Sequence, residues 1–393
     1  MNAPEQKIID LIRAVILGTD PPSFDNWEKA YKNAEKHGLH NFMAEIAPKV
    51  KTLSAQEQEK MADLQAMSVL KDAVQETEVE QLIRIFDGRG IDAIMLKGWY
   101  IKQLYPRRDF RIMADTDIII RKQNEADVHE ILTGRGYNCV SASNKKDAAY
   151  TKKPFQLLEI HKQLFMYEDK WNDCFNLPSS PMYIWNRLET IDGYKHIYRM
   201  DDELFFVYMI AHIAKHLLDD GGIGVRAFID IWVYLRCKPN LDYNIINRDL
   251  NMLGLKTFAE KATALTEYWF EGKPASPEVG ELGRHIFECG VYGKKSFFVA
   301  NSEVMRDGKK HGKLGYAYKR AFPGMKSMKV RYPKLEKKPW LLPAYYSKRL
   351  WYSATRRKAS IKGELDSVSS VDYNKIQHIR ELYKKIGLED NFG

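Results

Sequence analysis

Across residues 1–85, apolar positions return every three or four residues, the repeat of a helix that buries one face. Trp27, Ala30, Tyr31 and Ala34 form one such stripe, and Gly38 follows as a C-terminal stop. Ser54-Ala-Gln-Glu57 has capping-box spacing and opens a longer helix, with Met61, Leu64, Met67, Leu70 and Val74 on one side. Near Gly90 the period shortens. Asp92 to Leu96 is a short apolar run and predicts a buried strand, ended by Lys97-Gly98. Trp99 to Tyr105 predicts a short helix stopped by Pro106. Asp115 to Arg121 predicts a second strand, residues 124–133 a helix, and Tyr137–Ala142 and Pro154–His161 further strands. From Asp201 the pattern is helical again. Leu204 to Ala214 is apolar on most sides, Gly221-Gly222 breaks the helix, and Val225, Phe228, Ile229 and Trp232 carry the next. Residues 255–300 predict more helices. No fixed-period repeat runs through the chain, which argues against a solenoid.

These patterns predict an α+β protein, a small mixed β-sheet core flanked by helical regions. The expected division is an N-terminal helical region over 1–85, an α/β core over 86–200, a helical domain over 201–305 and a C-terminal extension over 306–393. The 45% apolar and 12% aromatic content excludes a disordered chain. With 24 Gly, 15 Pro and 4 Cys, collagen-like and disulfide-framework architectures are excluded too. Cys139, Cys174, Cys237 and Cys289 are isolated and are expected to be small buried hydrophobes in a reducing compartment. The first residues, Met-Asn-Ala-Pro-Glu-Gln, lack a basic stretch followed by an apolar run, so a cytoplasmic location is expected. Leu204–Ala214 is about half the ~20 residues a membrane span needs.

Charge divides the chain. The formal net charge is +9, but residues 308–358 hold 16 Lys or Arg against one acid, Glu336, leaving the rest at −6. The basic pI therefore describes a segment and not the whole surface. That segment mixes its cations with Tyr316, Tyr318, Trp340 and Trp351. It is read three ways: a polyanion-binding surface, a surface for an anionic membrane, or an extension packing its aromatics on an acidic body.

The most informative stretch for chemistry is Ala114-Asp-Thr-Asp-Ile-Ile-Ile120. Residues two apart in a strand face the same side, so Asp115 and Asp117 are expected to project together. Their repulsion is relieved by a divalent cation, and a hard Mg²⁺ with phosphate oxygens suits such a pair. The competing reading, two solvated aspartates on a sheet edge, fits poorly beside three isoleucines. In Phe155-Gln-Leu-Leu-Glu-Ile-His161, alternation puts Leu157, Glu159 and His161 on one face. An acid there is costly unless paired, exposed or metal-bound. Beside the aspartate strand, Glu159 would ligate a metal or take a proton from an attacking hydroxyl. Upstream, Gly98 permits close approach of a ligand, and Lys97 and Arg111 offer it positive charge.

Leu96-Lys97-Gly98, Leu104-Tyr105-Pro106, Arg111 and Asp115-x-Asp117 resemble the signature of a bacterial uncharacterised nucleotidyltransferase family. That family falls in the polymerase-β-like superfamily of metal-dependent nucleotidyltransferases. The likeness continues through Gly134-x-Gly136-Tyr137 and Leu158-Glu-Ile-His161. It then takes in Ala211-His212-x-x-Lys215-His216, Arg226 and Asp230-Ile-Trp232, so most of the chain is covered. The resemblance implies a mixed sheet with helices on one side. Asp115, Asp117 and Glu159 would bind Mg²⁺ or Mn²⁺, and Lys97, Gly98 and Arg111 the nucleotide. A hydroxyl acceptor would attack the α-phosphorus of a nucleoside triphosphate and release pyrophosphate. Trp99 follows Gly98 where Ser or Gly is usual in the superfamily, so a common phosphate contact is missing.

His212 and His216 are spaced i, i+4, but Ile213 stands where a zinc protease needs Glu, so structural or substrate-lining roles are expected. Arg226 and Asp230 share that spacing, which predicts an intrahelical ion pair. With His161, these residues are the candidates for the acceptor pocket. The alternative to an enzyme is a catalytically degenerate nucleotide- or polyanion-binding module, accessory to polysaccharide assembly.

Overall fold

A computed structural model of the chain describes residues 3–142, 147–165, 171–219 and 222–290, then 318, 321–325, 328–329, 332, 334–356 and 373–388. The expectations for residues 291–300 and for much of the basic segment 308–358 lie outside the described residues.

Four helices lead: α1 (Ala3–Leu17), α2 (Trp27–Lys36), α3 (His40–Ile46) and α4 (Ala55–Gly88). Asn26 caps α2 by accepting from the Lys29 amide, and Gly38 takes φ +70° just beyond the helix end. The capping box at α4 forms, with Ser54 accepting from the Glu57 amide and the Glu57 carboxylate accepting from Ser54. The apolar stripe behaves differently from expectation. Met61 is buried, but Met67 and Leu70 are 51% and 50% exposed. Ala44 and Ala47 cover only the start of this helix, around Met61. Its core-facing residues come later, at Val79, Leu82, Ile83 and Phe86.

A seven-stranded mixed sheet follows. Its strands are β1 (Ala93–Met95), β2 (Thr116–Ile120), β3 (Asn138–Ala142), β4 (Asp147–Lys152), β5 (Gln156–His161), β6 (Leu188–Thr190) and β7 (Ile197–Met200), in the order β3-β4-β5-β2-β1-β7-β6. β1 runs antiparallel to β2 and parallel to β7, and β2 runs parallel to β5. The central strands are continuous apolar runs because both faces are covered, as Ala93–Met95 and Ile118–Ile120 show at 0% exposure. Helix α5 (Lys97–Lys102) starts two residues earlier than expected and packs by β2; α6 (Glu125–Gly134) packs by β3. β4, β6 and β7 go beyond the strands expected from the sequence.

The rest is helical: α7 (Asn172–Asn176), α8 (Asp202–Asp219), α9 (Val225–Cys237), α10 (Tyr243–Leu253), α11 (Lys256–Glu271) and α12 (Pro277–Cys289). Further along are α13 (Lys334–Lys337), α14 (Leu342–Arg356) and α15 (Tyr373–Lys385). No helix among the described residues is long and apolar enough to cross a membrane. One hydrophobic core runs from Ile8 through the sheet to Leu388, so the helical regions share it with the sheet. Cys289 is buried, but Cys139 and Cys237 are exposed and Cys174 is half-buried, against the expectation that all four sit inside. Cys139 lies on an outer strand, β3, and Cys237 at the last position of α9, where neither faces the core.

Polar ties fix the first helices to the sheet. Asn41 donates to the carbonyls of Asp109 and Phe110, at 3.0 and 2.9 Å. Gln75 donates to the Phe155 carbonyl, and Gln156 to that of Val74, both at 3.0 Å. Lys102 is 1% exposed in its side chain and pairs with Asp72 at 2.6 Å and Glu76 at 3.3 Å. A buried lysine needs such partners, and these hold α5 against α4.

Candidate active site

The site starts from the register of two parallel strands. Asp117 of β2 stands opposite Glu159 of β5, and Ile119 opposite His161. Alternation sends Ile118, Leu158 and Ile160 into the core. Asp117, Glu159 and His161 offer ligand atoms that all lie within 4.8 Å of one another. His161 Nε2 is 2.9 Å from Asp117 Oδ1 and 3.7 Å from Glu159 Oε2. The Asp117 and Glu159 side chains are 21% and 37% exposed, so the group is open to a ligand.

Asp115 lies one residue ahead of β2 and outside that group, within electrostatic reach of Asp117. Burial, then the Asp117 charge, push the Asp115 carboxyl above its ordinary value. Burial also works against ionisation of Asp117. The His161 hydrogen bond and charge, with Lys97 and Arg111, outweigh it and hold Asp117 below the usual range. The two aspartates are thus unequal: their surroundings push Asp115 up and hold Asp117 down.

Lys97 begins α5 at the end of β1, where the Leu96 amide donates to the Asp117 carbonyl at 3.2 Å. Its Nζ is 2.8 Å from His212 Nδ1, and His212 Nε2 is 3.2 Å from His216 Nε2. Burial, then the charges of Lys97 and His216, hold His212 well below its ordinary value, so it is neutral. A neutral His212 accepts a hydrogen bond from the Lys97 ammonium at Nδ1, and that tautomer carries its proton on Nε2, facing His216. Both histidines come from α8, so they act together as a strut behind Lys97. Burial and then Arg111 bring the Lys97 ammonium down to about 8, against the pull of Asp230, Asp117 and Asp115.

Arg111 is turned toward α9. It grips Asp230 with two hydrogen bonds of 2.8 Å, and its Nη1 donates to the Gly98 carbonyl at 3.2 Å. Tyr105 donates to the same Asp230 at 2.7 Å. Asp230 therefore answers to Arg111 and Tyr105 across the fold, beyond the i, i+4 pair with Arg226 that the spacing suggests. Arg226 donates to the Ile112 carbonyl. The resulting clamp fixes the segment between α5 and β2 against α9. A methyl group at Gly98 would meet Met113 Sδ at 3.4 Å and the Asp115 carbonyl at 3.8 Å, ordinary contact distances. The packing around Gly98 therefore does not itself require glycine. Trp99 turns inward, 8% exposed, with an indole N–H that has no hydrogen-bond partner among the described residues.

The structure adds two residues that the sequence did not single out. His40 at the start of α3 and Lys71 in α4 lie within electrostatic reach of Arg226, and Lys71 also of Asp115. No sequence pattern announces them: each is a lone polar residue on a helix, far in the chain from the strands it approaches.

The donor set suits a divalent cation. Two carboxylates and an imidazole converge on one open face, and Asp115 adds charge nearby. A histidine that orients a ligating carboxylate is the usual second layer of such sites.

A family described as uncharacterised nucleotidyltransferase matches residues 23–271. The match covers well over half of the chain, and the protein belongs to that family. It runs from before α2 to the end of α11 and so takes in the whole sheet and the proposed site. Neither the curated proteins nor the solved structures give a match. The family supports nucleotidyl transfer as the general activity, with a nucleoside triphosphate as substrate.

Proposed function

We propose that this chain transfers a nucleotidyl group from a nucleoside triphosphate to a hydroxyl acceptor with release of pyrophosphate, as a member of the polymerase-β-like superfamily. The observation that carries the reading is the in-register pair Asp117–Glu159, with His161 on Asp117 and Lys97 on the adjoining strand end. A divalent cation held by Asp117 and Glu159, with Asp115 beside it, would neutralise phosphate charge and polarise the α-phosphoryl group. His161 keeps Asp117 ionised and aimed. Lys97, braced by His212 and His216, would offer its remaining N–H groups to phosphate oxygens. Glu159, the more exposed carboxylate, is our candidate for receiving the hydroxyl proton. Arg111 and Asp230 act from behind, keeping Gly98 and Asp115 at the distance that leaves the site open.

The test is pyrophosphate release from each nucleoside triphosphate with Mg²⁺ or Mn²⁺, across acceptor pools of sugars, peptides and nucleic-acid ends. Asp117→Asn should lower the rate at least about a hundredfold, because it removes an anion on which cation binding depends. Nucleotide binding without release in the wild type, unchanged in the variant, supports the degenerate binding module instead.

A further inference from the structure

Helix α14 and the turn before it, Pro339–Leu341, lie outside the shared core and beyond the family match, and the proposed chemistry uses neither. The helix has two faces. Leu342, Tyr345, Tyr346 and Arg349, spaced i, i+3, i+4 and i+7, turn partly inward. Tyr345 stacks on Tyr332 with ring centres 4.4 Å apart, and the Tyr346 hydroxyl donates to the Pro323 carbonyl at 2.7 Å. The tyrosines therefore hold the helix from one side, and the other side is exposed.

That outer side is mostly apolar. Trp340 stands just before it and Trp351 near its end, 69% and 70% exposed. Between them the exposed residues include Pro343, Ala344, Ser347 and Leu350. Singly exposed apolar residues are ordinary, but these share one helix face. Lysines border it: Lys334, Lys337 and Lys338 precede it and Lys348 lies at its edge, all exposed. Residues 334–356 hold six basic side chains against one acid, Glu336, so the surface is complementary to a negative partner.

We propose that Trp340 and α14 form a docking surface for an anionic lipid bilayer, on which the helix lies flat. At 15 residues α14 is too short to cross one. Indoles seat at the headgroup level, Leu350 reaches the acyl boundary, and the lysines meet anionic headgroups. A nucleic-acid surface would instead run its cations along the face to follow phosphates. Here the middle of the face is Ala344 and Ser347, whose hydroxyl already donates to the Pro343 carbonyl at 3.1 Å.

Flotation of the full chain with vesicles tests it, using phosphatidylcholine alone and phosphatidylcholine mixed with phosphatidylglycerol. The wild type should float with the anionic vesicles, stay behind with the neutral ones, and lose binding as salt is raised. Trp340→Ser and the double change Lys337→Gln/Lys338→Gln should each weaken binding about tenfold, and Trp340→Phe should restore most of it. The altered side chains are exposed, and melting curves check that each variant keeps the fold. Equal binding to neutral vesicles, no binding to either, or binding untouched by both changes overturns the proposal. Two other occupants would overturn it as well. Salt-sensitive binding of single-stranded RNA, lost in the same variants while vesicles are ignored, assigns the face to nucleic acid. A dimer in analytical ultracentrifugation that Trp340→Ser dissociates, again without vesicle binding, assigns it to a second copy of the chain. No step needs turnover, so failure of pyrophosphate release in the activity assay would sink the transfer reading and leave this measurement standing.

Discussion

His161 and Lys97 show how much of the site depends on groups that only position others. His161→Ala should leave Asp117 less firmly ionised and free to rotate. The expected loss is about ten- to hundredfold in Mn²⁺ affinity, measured by calorimetry or electron paramagnetic resonance. Lys97 makes a prediction in pH. Its ammonium titrates at about 8 in the fold and at 10.5 as the free side chain. Between those values the unfolded chain holds more protons than the folded one, so this group's contribution to stability rises with pH. Anion binding runs the other way, because the charge that attracts phosphate disappears across the same window. Pyrophosphate affinity should fall from pH 7 to 9 in the wild type and stay flatter in Lys97→Arg, whose guanidinium keeps its proton. A parallel fall in both proteins would show that Lys97 does not hold the phosphate.

At the level of elements, the site depends on α9 staying where the Arg111–Asp230–Tyr105 clamp puts it. The Arg111 and Asp230 side chains are only 11% and 12% exposed, so either partner left alone is a buried charge. Asp230→Ala should therefore cost about 3–5 kcal/mol in thermal or urea unfolding and lower activity with it. The elements legible from sequence were those whose periodicity is imposed by a fully apolar environment. Ala93–Met95 and Ile118–Ile120 announce themselves because both sheet faces are covered. Asp147–Lys152 does not, since its side chains are small or polar and it lies toward the end of the sheet. The three residues of Leu188–Thr190 are too few to show a period. The pairing of Asp117 with Glu159 was legible only as a condition, because alternation gives the face of each residue but not which strands are neighbours. His40 and Lys71 were illegible because tertiary approach, and no local pattern, brings both within electrostatic reach of Arg226, and Lys71 within that of Asp115. The stripe through Met67 and Leu70 misled for the opposite reason: its helical period is real, but among the described residues these two side chains lie about half exposed.

Across the whole molecule, the core continues beyond the family match at residue 271. Helix α15 packs on α12, and Tyr383 donates to the Leu217 carbonyl at 3.0 Å with His285 at 3.2 Å from its hydroxyl. Just after α15, Gly387 holds φ +80°, and an added Cβ would lie 2.6 Å from Thr257 Cβ. Gly387→Ala should thus destabilise the protein by about 1–3 kcal/mol, read from its melting curve. Tyr383→Phe should cost about 1–3 kcal/mol and loosen amide exchange at the end of α8, the helix that carries His212 and His216. That contact ties the end of α8 to a residue 166 positions later in the chain. The helix that carries His212 and His216 is thus anchored from the far end of the described chain, so the brace behind Lys97 is expected to stiffen when α15 docks. A stalled or clipped chain would present the acids of the sheet without a rigid lysine facing them.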